Sequence, residues 1–404
     1  MLQTIIHRLL QRRHFWRYAS FGEVAELYAS RMMRILAQQM IGLFIALYLY
    51  ELHYSLQFIA LYFACNFAFR AVIAYPCARY IAKFGPKHGI LVGNLLYIPA
   101  LVAFSFVEPF GLPAILIFGL FQSFSMVIYD LSYLVDFSKV KHVEHAGKEI
   151  GYMQILERLT ASLSPFLGGA VAFLISPQAT MWLSAILFAT ASIPLFKTRE
   201  QTHLNQKLSF RGFPWHLVRR IFLAETAVGF DNFASLGVWA LFLAVAVFAG
   251  STNDIYLKIG AFASITVLTS FLAAYSFGKI IDWRHGGNLL RVASIANAAT
   301  HLFRPFVTGP AGVVAANITN EIATAGYTMA FIRGLFDTAD TSRHRIVYLY
   351  FIEVALNIGA MIAALTLLLL VSFIPSTIVA LQLFFVVSGA YVLLILTARF
   401  RLYG

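Results

Sequence analysis

The chain has 404 residues, of which 60% are hydrophobic, 15% aromatic and only 12% charged, and its formal net charge is +12. A water-soluble domain has too little interior to hide so much apolar side chain, so the composition excludes the soluble globular and disordered classes and points to a membrane-embedded protein. In a soluble chain such a positive charge would suggest nucleic acid; here the cations gather on one membrane face, where anionic lipid headgroups attract them, and no nucleic-acid partner is expected.

Residues 1–20 interleave Leu2, Ile5, Ile6, Leu9, Leu10 and Trp16 with arginines and contain no acid. This is the pattern of an amphipathic helix lying on the inner leaflet. An organellar presequence has a similar composition, whereas a signal peptide would need a longer apolar run and a small-residue cleavage site. About twelve apolar runs follow, each near the roughly 20 residues that cross hydrocarbon. They lie near 28–50, 55–82, 88–107, 112–136, 150–175, 179–196, 217–249, 255–281, 287–307, 312–334, 346–372 and 377–398. Runs of this length in lipid must be helices, because the backbone has to satisfy its own hydrogen bonds there.

Lysine and arginine mark every second connection: Arg8 to Arg17, Lys83/Lys87, Lys139/Lys141/Lys148, Lys197 to Arg211, Lys279/Arg284, Arg333/Arg343/Arg345 and Arg399/Arg401. The intervening turns carry none, so the positive-inside rule predicts both termini and all basic loops in the cytoplasm, as in a bacterial inner-membrane protein. Cys65 and Cys77 share the second run and read as small packing residues rather than a disulfide or metal framework.

Displacing the sequence on itself by about 200 residues aligns three landmarks in order. Ala25-Glu26 meets Ala224-Glu225; Ala74-Tyr75 with Ala78-Arg79 meets Ala274-Tyr275 with Gly278-Lys279; Ile150, Tyr152 and Glu157 meet Ile346, Tyr348 and Glu353. The predicted organisation is an all-α membrane protein. An amphipathic segment occupies 1–20, one six-helix bundle 21–196, a cytoplasmic polar linker 197–213 and a second bundle 214–404. Six spans is an even number, so both bundles enter from the same side and are related by an axis along the membrane normal, with a shared cleft about which they can rock.

With this duplication the chain resembles the major facilitator superfamily over essentially its whole length. The family's signature between spans two and three is matched in part by Ala78 to Lys87, where alanine replaces the leading glycine and the acid. It is matched again by Gly278-Lys279-Ile280-Ile281-Asp282-Trp283-Arg284-His285-Gly286, which keeps both. Ser164-Pro165-Phe166-Leu167-Gly168-Gly169 in span five is similar to a run in the family's proton-coupled exporters, with serine in place of the first glycine. The same residues also suit close helix packing and bending. The span-four arginine of the exporter pattern is absent. The resemblance implies twelve helices in two pseudo-symmetric bundles and secondary transport by alternating access.

Ionisable groups within spans are functional candidates by default. Glu26/Glu225 and Glu157/Glu353 recur in both halves, which suits a gate joining the bundles by equivalent contacts. Glu157 is expected to approach Lys279 or Arg284, and Glu353 to approach Arg79 or Lys83, when the inner side is closed, with Asp282 in the same gate; a permanent pair such as Glu157 with Arg79 is the alternative. Arg70, Asp130, Asp231 and Glu321 break the symmetry near mid-bilayer and are candidates for solute recognition or proton coupling. Arg70 could fork onto an anion or neutralise Asp130. Asp231 and Glu321 have no basic neighbour at similar depth in their own half, so they are the first candidates to carry a proton; hydrogen bonds to Asn232, Asn317 or Asn320 are the structural alternative. Arg304 and Lys258 lie near span ends, where snorkelling accounts for them. Phe124, Tyr129, Tyr133, Trp239 and Tyr327 reach the same depth and could line an apolar pocket.

His142 and His145 flank Glu144 without a third ligand, and no phosphate-binding loop occurs, so no metal, cofactor or nucleotide is expected. The leading expectation is a monomeric, non-enzymatic secondary transporter of a small organic solute, with protons as its expected driving ion and lipids as its surroundings. A lipid or amphiphile flippase is the alternative within transport, and a membrane sensor or enzyme the alternative outside it.

Overall fold

The computed structural model describes residues 21–140, 146–196, 208–249, 254–282 and 285–403. The amphipathic segment 1–20, the His142/His145 pair, most of the linker and Arg284 lie outside the described residues, as do the side chains of Glu26 and Asp282.

Twelve helical spans follow one another in two sets of six. The first set is α1 (Phe21–Gly42, continued by Ile45–Glu51), α2 (Leu56–Phe84), α3 (Pro86–Ser105), α4 (Leu112–Val140), α5 (Ala146–Leu174) and α6 (Pro177–Ser192). The second is α7 (Trp215–Phe233, continued to Val247), α8 (Ile255–Ser264 and Val267–Asp282), α9 (Gly286–Phe303), α10 (Pro310–Thr341), α11 (Arg345–Phe373) and α12 (Thr377–Val392). Local chemistry sets several ends. The Ser55, Ser176 and Ser376 hydroxyls accept from Phe58 N, Ala179 N and Val379 N and so cap α2, α6 and α12. Gly85 at φ 92° closes α2, and Pro86 opens α3 at once.

Nine helices among the described residues are long and apolar enough to cross a membrane. The long helices missing from that set are α5, α9 and α10. These carry Glu157 and Arg158, His301, and Asn317, Asn320 and Glu321. Their polarity reflects what they hold against one another inside the protein rather than what lipid would accept.

The halves meet along two seams that the duplication makes equivalent: α2 packs on α11, and α5 packs on both segments of α8. The Ser164 to Gly169 run explains part of the second seam. A Cβ on Gly169 would stand 2.4 Å from Tyr256 O, and one on Gly168 would stand 2.1 Å from Met40 O. Glycine is therefore required here for backbone approach, with α8 on one side of α5 and α1 on the other, which is the packing role anticipated for this run.

Candidate transport site

A cavity of about 160 Å³ lies between the two halves. The first half supplies Gln39 and Leu43 of α1 and Ala161, Ser162 and Pro165 of α5; the second supplies residues of α7, Ile259, Ala263 and Thr266 of α8, Arg304, and Asn317, Asn320 and Glu321 of α10. Asn317, Asn320 and Glu321 reach one wall together because positions three and four apart share a helix face. On α7 the backbone widens into π-helical turns over Ala234–Val238 and Leu243–Val247, and Ser235, Leu236, Trp239, Ala240 and Leu243 from this stretch line the cavity. Such turns re-aim side chains and recur at functional sites.

Behind that wall is a buried polar network. Asp231, His301 and Arg304 are each at most 1% exposed. His301 Nε2 lies 2.7 Å from Asp231 Oδ1, Tyr327 donates its hydroxyl to Asp231 Oδ2, and Ser235 Oγ donates to Asp231 Oδ1 at 3.0 Å. Arg304 donates from Nη1 to Ser235 Oγ at 3.2 Å and to His301 Nδ1 at 3.0 Å, and from Nη2 to Asn320 Oδ1 at 2.9 Å. Its guanidinium carbon stands 4.9 Å from the centre of the Trp239 ring, and its Nε meets no acceptor. The Trp239 indole in turn donates to Asn317 Oδ1 at 2.9 Å.

This corrects two expectations. Asp231 has a basic neighbour in its own half, His301, and is not an isolated carboxylate. Arg304 does not snorkel to the surface: it begins the turn Arg304–Phe306 that follows α9, and its side chain is buried in the network. Glu321 is not without a partner either: it pairs across the two halves with Arg158 of α5. Neither His301 nor Arg158 figures among the candidates read from sequence, although both stand as ionisable residues inside predicted spans.

Contacts between the halves flank the cavity. On the face opposite the basic loops, the Tyr256 hydroxyl donates to Glu51, Tyr256 packs edge-on against Phe44 at 5.3 Å, and Gln57 donates to Val371 O at 3.0 Å. Toward the basic loops, Phe336 of α10 is buried in a cluster with Tyr28, Ile90, Tyr129, Tyr133 and Leu195 of the first half.

The other expected residues sit elsewhere. Trp239 lines the cavity, but Tyr129 and Tyr133 belong to the Phe336 cluster, Tyr327 is occupied by Asp231, and Phe124 packs edge-on against Phe69 at 5.7 Å. Arg70 does not neutralise Asp130: it donates to Asn66 Oδ1 at 3.1 Å and Gln122 Oε1 at 3.0 Å, while Asp130 stands 3.8 Å from Arg31. Glu157 meets neither Lys279 nor Arg79. It accepts from Arg31 Nε at 2.9 Å and from the Tyr133 hydroxyl, a pairing within its own bundle. Lys279 is exposed and lies over the Tyr275 ring, and Arg79 and Lys83 are exposed too. Glu353 is buried and accepts from Asn357 Nδ2 at 2.8 Å, and Glu225 is buried with Oε2 unpartnered. Arg34 adds a fully buried cation in the first half, donating to Asn94 at 3.0 Å and facing the Tyr129 ring at 3.6 Å. Sequence reasoning passed over Arg31 and Arg34 because they lie near the start of span one, where end-of-helix arginines are ordinary.

Two like sets of six helices around a polar cavity are the arrangement that the resemblance implied, and the profile of the Major Facilitator Superfamily matches residues 27–364. The chain belongs to the Major Facilitator Superfamily. As a member it is a membrane transporter rather than an enzyme. Among solved structures this superfamily member is similar to FucP in the outward conformation, a Major Facilitator Superfamily transporter, at 14% identity and TM-score 0.66 over 92% of this chain and 97% of that one. It is similar as well to the human organic anion transporter MFSD10 (TETRAN), at 11% identity and TM-score 0.70 over 94% and 99%. A single-residue variant of the E. coli fucose:proton symporter FucP gives 15% and 0.61 over 93% and 96%. At these identities the likeness is one of fold. No curated protein matches the chain in sequence.

Proposed function

We propose that this transporter is a secondary carrier that moves a small organic solute by alternating access, driven by a proton gradient, with the basic loops and both termini on the cytoplasmic side of a bacterial inner membrane. The observation that carries the reading is the Arg158–Glu321 pair: an ion pair joining α5 to α10 across the two halves, with Glu321 on the cavity wall. An ion pair between two rigid bodies is a contact that one state makes and another breaks. Glu321 at the midline and Asp231 behind the cavity are the carboxylates through which a proton would be coupled to that change, while Arg70 and Asp130 support the first half. Two of the chain's structural neighbours, a fucose:proton symporter and an organic anion transporter, suit an ion-driven carrier of small solutes.

A flippase needs a lateral opening for a lipid headgroup. Both seams are packed here, with Ser162 Oγ 3.3 Å from Ser270 Oγ on one and Gln57 bonded to Val371 on the other, which weighs against that alternative. The test is solute uptake into proteoliposomes with and without an imposed pH gradient, for the wild type and for Asp231→Asn and Glu321→Gln. Gradient-driven uptake that both substitutions abolish is expected. Uptake that ignores the gradient and survives both removes the proton coupling, and translocation of a fluorescent lipid without solute uptake favours the flippase.

A further inference from the structure

A guanidinium only donates hydrogen bonds, so the His301 Nδ1 that faces Arg304 Nη1 at 3.0 Å is the accepting nitrogen of the ring. Nε2 then carries the hydrogen and donates to Asp231 Oδ1 at 2.7 Å. In this arrangement His301 is neutral and its one proton-accepting atom is covered by Arg304. The groups around the ring are Asp231 of α7, Arg304 at the end of α9 and the Phe385 ring of α12, stacked at 6.2 Å; Tyr327 of α10 stands behind Asp231, and Ser235 and Asn320 complete the shell of Arg304.

Arg304 is the cation of this network that also lines the cavity, and its buried Nε has no acceptor. A guanidinium with an unmet donor beside an aromatic wall fits a carboxylate attached to an apolar body. Charge balance makes the same point. Arg304 and Arg158 are offset by Asp231 and Glu321 while His301 is neutral, so a bound anion leaves the buried site one positive charge short.

Resting on the carrier reading above, we propose that the solute is a small organic monocarboxylate that engages Arg304 and draws its guanidinium off His301, and that the uncovered Nδ1 then takes up one proton from the aqueous side open to the cavity. Solute and proton bind together, the site returns to neutrality, and both leave when Arg304 falls back onto Nδ1. This refines the coupling assigned above: the proton rests on His301, Glu321 stays ionised against Arg158, and Asp231 acts as a positioning residue that holds the hydrogen on Nε2 and stabilises the doubly protonated ring, so coupling still fails in Asp231→Asn.

The experiment uses the purified full-length protein and a panel of aliphatic and aromatic monocarboxylates, benzoate and isobutyrate included, each paired with its neutral amide. Calorimetric titration in two buffers of different ionisation enthalpy reads protons taken up per solute bound. The expected result is binding of at least one carboxylate but not its amide, uptake of about one proton, and affinity that falls about tenfold per pH unit on the alkaline side by reciprocal linkage. Arg304→Gln should abolish carboxylate binding, and a folded His301→Gln protein should bind the carboxylate more weakly, with no proton uptake and with the alkaline fall in affinity lost. Failure of every carboxylate in the panel to bind, wild-type binding without proton uptake, or uptake that persists in His301→Gln overturns the proposal. The wild-type measurement decides even if His301→Gln does not fold. Proton-driven transport of a neutral solute would sink this inference and leave the carrier reading standing.

Discussion

Arg158 and Glu321 form an ion pair between α5 and α10, helices that belong to different halves of the molecule, with both side chains largely shielded from water. Arg31–Glu157, Lys258–Asp254, Arg333–Asp337 and Arg345–Asp340 each stay within one half. Removing one member of a shielded pair leaves the other charge uncompensated, which costs far more than deleting both. Glu321→Gln and Arg158→Gln are therefore each expected to lower transport at least about tenfold, and the double variant is expected to be better folded than either single one, with a coupling of roughly 1–3 kcal/mol in a double-mutant cycle. Thermal unfolding and counterflow rates measure both effects. Additive stability changes together with wild-type transport in Glu321→Gln would take the pair out of the mechanism.

Glu157 has a different part. Its carboxylate ties Arg31 of α1 and Tyr133 of α4 to α5 inside the first half, so it braces one bundle instead of joining two. Glu157→Gln replaces a charge-assisted hydrogen bond, for which the ordinary contribution is about 1.5–3 kcal/mol. The expected outcome is a lower unfolding temperature, with spin-label distances between the basic-side ends of α5 and α8 responding to solute as in the wild type. A lost distance change with unaltered stability would return Glu157 to the gate.

Much of the architecture was legible from composition and charge alone. Basic loops alternating with neutral ones, and landmarks such as Glu157/Glu353 recurring at a fixed displacement, suffice for twelve helices in two parallel sets, because hydrocarbon leaves the backbone few options. The site was legible only in part. Glu321 and Trp239 were singled out by depth and do face the cavity, whereas depth along a helix says nothing about direction around it, and Tyr129, Tyr133 and Phe124 point to other neighbours. Partnership was harder still. His301 reaches Asp231 across 70 positions and Arg158 reaches Glu321 across 163, separations that no local pattern encodes. The available clue was that α5, α9 and α10 are the least lipid-like of the spans.

Gly168 and Gly169 give a direct test of the seam on which α1, α5 and α8 converge. A Cβ at Gly168 would lie 2.1 Å from Met40 O, a backbone atom that cannot swing aside. Gly168→Ala is expected to destabilise by about 1–3 kcal/mol through overpacking. Gly309→Ala, where a Cβ would meet nothing within 4 Å, serves as the control and should stay within about 0.5 kcal/mol. Thermal unfolding in detergent compares them, and equal shifts for both would mean that the helices separate easily at Gly168.

On the face opposite the basic loops, Tyr256 of α8 joins the two halves: its hydroxyl donates to Glu51 of α1 and its ring packs on Phe44. Tyr256→Phe keeps the ring contact and deletes the hydroxyl, so it isolates the polar part of the latch. A hydrogen bond to a charged acceptor contributes about 1.5–3 kcal/mol, and each 1.4 kcal/mol is roughly tenfold in population. If the contact is present only when this face is shut, its loss shifts the protein toward states open on that side. A cysteine placed by Leu43→Cys on the cavity wall, with Cys65 and Cys77 replaced, should then react with an impermeant maleimide added to that side about tenfold faster in Tyr256→Phe than with tyrosine retained. Equal rates would mean that Tyr256 persists against Glu51 in both states, and that closure of this face comes from the apolar contacts around Phe44 and from the glycine-lined seam between α5 and α8.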